Sequence, residues 1–112
     1  MLFAPPLLDL SQAQAMAGEA TALRQLVATF HDSLAQELRQ LDAALDAADA
    51  RQVEFSLHAL KGFVPLFCQP KLAQSLIDLY HDSRSQPLAD IQVRYRALGP
   101  VLHALTHEVE AW

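Results

Sequence analysis

The sequence predicts an all-α fold: an antiparallel up-down four-helix bundle with a short additional N-terminal helix. Three observations predict it. Ala, Leu, Gln, Glu and Arg dominate while Val, Ile and Thr are sparse, a balance that favours helix over sheet. Apolar residues recur at threes and fours through long stretches. The segments between those stretches are short, so successive helices are expected to pack antiparallel. The 112 residues suit a single domain, 1–112, with one core.

The elements follow in order. "FAPPLL" makes residues 1–8 an extended lead-in, because paired prolines resist helix. "DLSQAQAMAG" offers Asp9 or Ser11 as an N-cap, one to two helical turns, and Gly18 as C-cap. From Glu19 to about Ala48 there is no Gly or Pro. Leu23, Val27, Phe30, Leu34, Leu38, Leu41 and Leu45 form one apolar stripe on a long helix. "DAADA", residues 46–50, is the next turn, with Asp49 as N-cap. A helix from about Ala50 to Phe67 turns Val53, Leu57, Leu60, Val64 and Phe67 inward, with a bend expected near Pro65. Pro70 fits the first position of another helix, carrying Leu72, Leu76, Leu79 and Tyr80. "SRSQP", residues 83–87, is a loop. The last helix runs from about Leu88 to the C-terminus, with a kink or break expected at Gly99-Pro100.

Composition narrows the function. Eight basic against thirteen acidic residues give a net charge of −5, and no Lys/Arg cluster marks a nucleic-acid footprint. No apolar run reaches the length of a membrane span. The N-terminus lacks the basic region of a secretory signal, so a cytoplasmic chain is expected. Cys68 is the lone cysteine and reads as a small buried hydrophobe in a reducing compartment.

The most informative stretch is "LHALKGFVPLF", residues 57–67, which places a glycine and a proline inside a helix. At about 100° per residue, His58 falls opposite the apolar face. It shares its side with Arg51, Glu54, Lys61, Gly62 and Pro65. An outward histidine can be an idle surface residue. Gly62, however, lies one turn above it and removes the side chain that would flank the ring, opening a lane for a large partner. Lys61 places an ammonium nearby. A phosphoryl group on the imidazole would bring about two negative charges, which Lys61 is placed to offset. Glu54, four residues before His58, is a candidate to bond the second ring nitrogen, or else an unrelated surface carboxylate.

These residues resemble the signature of histidine-containing phosphotransfer (HPt) domains, His-x-Leu-Lys-Gly, which stands here as "LHALKGF". The opening "LLDLSQ", the stretch "LVATFHDSLAQELRQLDAALDAAD" and the following "LAQSLIDLY" are similar too, so the resemblance spans essentially the whole chain. It implies a monomeric four-helix-bundle intermediate of two-component phosphorelays. In that family the histidine takes a phosphoryl group from one receiver aspartate and passes it to another. His58 would be the acceptor, Lys61 the charge-stabilising residue and Gly62 the access point. The implied partners are receiver domains of response regulators or a hybrid sensor histidine kinase. No cofactor is expected in this chain, since Mg²⁺ would sit in the receiver. The short N-terminal helix and the exposed side of the 19–48 helix are docking candidates by the same resemblance.

Three departures stand out. Cys68 occupies a position where the family often has glycine. Phe63, Val64 and Pro65 follow the Lys-Gly pair where small or polar residues are usual. Tyr80 corresponds to a glutamine of some members, with its hydroxyl the candidate substitute. These departures leave a rival reading: an HPt-like docking module that binds a receiver or kinase without carrying phosphate. Autonomous kinase activity is not expected, because no glycine-rich phosphate loop is present. His103 and His107, followed by Glu108, have the spacing to face one metal ion, but the order is not H-E-x-x-H and no third ligand is evident, so no metal site is expected. His31-Asp32 and His81-Asp82 read as surface pairs.

Overall fold

The computed structural model describes residues 3–112; Met1 and Leu2 of the expected lead-in lie outside the described residues. The described residues form an all-helical fold with five α-helices: α1 (Ser11–Ala17), α2 (Ala20–Asp46), α3 (Ala50–Phe63), α4 (Pro70–Ser83) and α5 (Leu88–Ala111). The long axis of the molecule, 44 Å, is set by α2, whose 27 residues span about 40 Å at 1.5 Å per residue. α2 packs on α3, α3 on α4, α4 on α5 and α5 back on α2, while α1 rests on α2.

The apolar stripes supply one continuous core. Leu34, Leu38 and Leu41 from α2 meet Leu57 and Leu60 from α3, Leu72, Leu76 and Leu79 from α4, and Leu102 and Leu105 from α5. Burial of each such side chain contributes roughly 1.5–3 kcal/mol. Every apolar position assigned to the core of the third helix is buried: Val53, Leu57, Leu60, Val64 and Phe67.

Caps account for several boundaries. The N-cap of α1 is Leu10 and not the expected Asp9 or Ser11; Asp9, one residue earlier, accepts from the backbone and hydroxyl of Ser11 at 3.0 and 2.7 Å, which holds its carboxyl below the usual range. Gly18 ends α1 with φ of 77°. α2 stops at Asp46, two residues short of expectation, in a Schellman arrangement. The Asp49 N–H donates to Ala44 and the Ala48 N–H to Leu45, with Ala48 itself left-handed at φ of 52°. Asp49 then caps α3 as expected, accepting from the Gln52 N–H at 3.2 Å.

Two expectations need correction. α3 does not continue to Phe67. It ends at Phe63 and gives way to a 3-10 turn, Val64–Leu66. Pro65 has no N–H to extend the α ladder, and the Phe67 N–H closes the turn on Val64 at 2.9 Å instead. The expected bend near Pro65 is this change of helix type. Phe67 stacks on Phe30 of α2 at 4.0 Å and Phe63 meets the same ring edge-on at 5.9 Å, which pins the turn to the core.

The second correction is at Gly99-Pro100, where α5 continues without the break that was one of the two expected outcomes. Pro100 and Arg96, whose carbonyl loses its partner, are both exposed, so water can bond that oxygen. The neighbours Leu98, Val101 and Leu102 are buried and anchor this stretch of the helix in the core. Gly99 has a packing reason: a Cβ there would fall 2.8 Å from Cε1 of Tyr95.

The lead-in, for its part, is built into the fold. Leu7 is 0% exposed. The Leu7 and Leu8 N–H groups donate to the Glu108 carboxylate at 2.8–3.0 Å. The Asp9 N–H donates to Phe67 and the Gln69 N–H to Leu7, each at 2.9 Å, forming an isolated antiparallel bridge between Leu8 and Cys68. Gln69 also ties down the carbonyls of Ala4 and Pro6.

Candidate functional site

The site is a consequence of how α3 is phased. Val53, Leu57 and Leu60 must point inward, so the 3.6-residue repeat turns His58 outward. His58 is exposed. Gly62, one turn along, is exposed too, and a Cβ built on it has no neighbour within 4 Å. Its φ is not left-handed. Nothing inside the fold therefore calls for glycine at 62, although glycine in a helix costs roughly 0.5–1 kcal/mol relative to alanine.

Lys61 and Tyr80 complete the immediate surroundings. Tyr80 comes from α4 and is 9% exposed. Its ring centroid lies 5.2 Å from that of His58, with the planes tilted by 56°. The Lys61 ammonium sits over the same ring, 5.2 Å from the centroid. A shallow cleft beside His58 is lined by Arg51, Glu54, Phe55 and Tyr80.

Two candidate contacts to His58 are not formed. Glu54 makes no hydrogen bond to the imidazole; it pairs with Arg84 of the segment after α4 at 3.7 Å. Tyr80 approaches His58 with its ring and not through a hydroxyl hydrogen bond. Arg84 thus pairs with Glu54, Arg51 lines the same cleft as Glu54, and Lys61 lies over Tyr80.

The residues that depart from the HPt pattern mostly turn away from His58. Val64 and Cys68 are buried, and Phe63 packs on Phe30. Pro65 is half-buried in the 3-10 turn. Burial, with a smaller contribution from the Asp9 charge, pushes the Cys68 thiol up to about 12. The thiolate is the reactive form, so Cys68 is inert.

Phe55 is the residue the sequence reading missed. It is 65% exposed on α3, three residues before His58. The available signal was an aromatic side chain outside the apolar stripe.

The remaining histidines serve other contacts. His103 bonds Asp42 at 2.9 Å, and Asp42 also accepts from the Tyr95 hydroxyl at 2.9 Å, tying α5 to α2. His107 pairs with Glu110 at 3.2 Å, and Glu108 is turned to the lead-in. Among the described residues, no three His, Cys, Asp or Glu side chains lie close enough to hold a metal ion. His31 lies 3.2 Å from Asp32 as expected, but it is half-buried and also faces Glu110 of α5 at 3.5 Å, whereas Asp82 pairs with Arg94 and leaves His81 against the Tyr80 ring at 5.6 Å. Among the described residues, no helix is long and apolar enough to cross a membrane. Comparison with protein-family models, curated proteins and solved structures finds no match to this chain.

Proposed function

We propose that this chain is a histidine phosphotransfer intermediate of a two-component phosphorelay, with His58 as the phosphoryl acceptor. The observation that carries the reading is the pairing of an exposed His58 with Gly62, a helix glycine for which the fold has no internal use. Supporting it, the ring of contacts α2–α3–α4–α5–α2, joined by the segments 47–49, 64–69 and 84–87, fits an antiparallel up-down bundle. The reading includes a monomer working in the cytoplasm, with receiver domains of response regulators or of a hybrid sensor histidine kinase as partners.

The chemistry asks little of this chain beyond positioning and charge. The Nε2 lone pair of neutral His58 attacks the phosphorus of a receiver aspartyl phosphate. The P–O bond breaks, and the aspartate leaves as a carboxylate. Lys61 offsets the charge gained on the ring. Mg²⁺ belongs to the receiver, and the ATP-dependent step belongs to a separate kinase. Gly62 leaves the receiver room to bring its aspartate in line.

A second reading has one observation in its favour. Phe55 presents an apolar surface beside His58, as a docking module without phosphate would also need. One experiment separates the two. The protein is mixed with a phosphorylated receiver, and acid-labile, alkali-stable label is sought on it. Label on the wild type and none on His58→Gln supports the acceptor. Label that persists in His58→Gln removes His58 from the role. Receiver binding without any label supports the docking module.

A further inference from the structure

We infer that the aromatic face of Tyr80, not its hydroxyl, positions Lys61 beside His58 for phosphoryl transfer. The inference rests on the acceptor reading above and specifies how that site is held together. His58 and Lys61 stand one turn apart on α3, and the Tyr80 ring lies 5.2 Å from both the imidazole centroid and the ammonium. One ring from α4 therefore spans the nucleophile and its counter-charge.

The physics favours the ring over the hydroxyl. A lysine ammonium within about 6 Å of a ring centroid is drawn to the negative face of the π-system. Tyr80 is buried among the core side chains, so its ring is a fixed platform. A free lysine side chain samples many rotamers, and ordering it on demand is entropically costly. Resting on Tyr80, the ammonium is already near the ring that will carry the phosphoryl group, with N–H groups left to donate outward. No hydrogen bond joins the Tyr80 hydroxyl to His58. Lys61 is the charge-bearing group in this arrangement, and Tyr80 acts through it as a positioning residue.

Three variants separate ring from hydroxyl. Tyr80→Phe keeps the ring and deletes the hydroxyl. Tyr80→Leu keeps an apolar, packable side chain and deletes the π-face. Tyr80→Gln supplies a hydrogen-bonding group and no ring. Each is phosphorylated with phosphoramidate, in which His58 Nε2 displaces ammonia from phosphorus: one P–N bond forms, the other breaks, and NH₃ departs with the bonding pair. The rate is followed by ³¹P NMR. In parallel, the ring-current shift of the Lys61 ε-methylene protons reports whether the ammonium lies over an aromatic face. That shift needs no phosphate.

The expected result is that Tyr80→Phe phosphorylates at the wild-type rate and keeps the upfield shift. Tyr80→Leu and Tyr80→Gln lose the shift and slow by about threefold to fivefold, the worth of an exposed cation–π contact. Lys61→Met slows by at least as much, and adding Tyr80→Leu to it slows the reaction no further, since the two act as one unit. Loss of rate in Tyr80→Phe with retention in Tyr80→Gln would assign the role to the hydroxyl and overturn the inference. So would a Lys61 methylene with no upfield shift in the wild type. A wild-type protein that shows the shift and takes no phosphoryl group on His58 overturns the acceptor reading itself.

Discussion

Two helix glycines should respond to the same substitution with opposite signs. At Gly62 a Cβ meets open space, and the backbone is not left-handed. Gly62→Ala therefore removes a helix penalty and adds no clash, a gain of roughly 0.5–1 kcal/mol. With an unfolding entropy of about 2.1 cal/mol/K per residue, the whole chain gives about 0.24 kcal/mol/K, so Tm should rise by about 2–4 °C. At Gly99 a Cβ falls 2.8 Å from Cε1 and 3.0 Å from Cζ of Tyr95. That ring is buried and its hydroxyl is fixed on Asp42, so it has little freedom to yield. Overpacking of this kind costs about 1–3 kcal/mol, more than the helix gain, and Tm should fall by about 2–8 °C. Thermal melts followed by circular dichroism measure both. The functional half of the prediction uses a bulkier side chain. Gly62→Leu should stay folded yet transfer phosphate from a receiver about 10- to 100-fold more slowly, because the reacting groups are held apart. A destabilising Gly62→Ala would mean the glycine is structural. A Gly62→Leu that transfers at the wild-type rate would mean it is not an access lane.

Three other outcomes follow from the fold. Ala48 occupies a left-handed position that costs an L-residue about 1–2 kcal/mol, so Ala48→Gly should stabilise the protein in urea denaturation by about 0.5–1 kcal/mol; a loss of stability would contradict the Schellman assignment. Glu108→Ala leaves the Leu7 and Leu8 N–H groups without their acceptor, so it should cost about 1–3 kcal/mol and raise amide exchange at both residues, and unchanged protection there would refute the latch. Cys68 keeps its proton in the folded state up to about 12 while the unfolded thiol ionises from 9.0. Ionisation therefore favours unfolding: stability is unaffected below that window and falls by about 1.4 kcal/mol per pH unit as pH rises through it. Tyr95, whose phenol is held protonated by burial and the Asp42 charge, adds to the loss in the same direction. Cys68→Ala should share the wild-type profile below pH 9 and be less steep above it, and identical slopes would refute the assignment.

What could be read from the sequence was local. Helix periodicity placed the inward leucines and, by elimination, turned His58 outward. Asp49, Gly18 and Pro70 act within one turn of where they stand, and each behaves as its residue type requires. The parts that were not legible depend on distant partners. The docking of the lead-in needs Glu108, 101 residues from Leu7. The end of α2 uses the left-handed Ala48 where glycine is the usual signal. Pro100 reads as a helix breaker, yet it sits on the exposed side of α5, where a lost backbone bond is cheap. The same holds within the site. His58, Lys61 and Gly62 lie on one helix, and their relation follows from spacing. Tyr80 and Arg84 belong to a different part of the chain, so whether Tyr80 offers its ring or its hydroxyl, and where Glu54 turns, depended on how α4 packs on α3.

The most direct measurement is the position of the phosphoryl group after exchange with a phosphorylated receiver. Phosphorus on Nε2 of a histidine has ring protons on both adjacent carbons, whereas phosphorus on Nδ1 has only one. A ³¹P signal that couples to both the Hε1 and Hδ2 protons of His58, and that disappears in His58→Gln, is the result predicted. A signal that couples to another histidine, or phosphate that stays on the receiver while the two proteins bind, would contradict it.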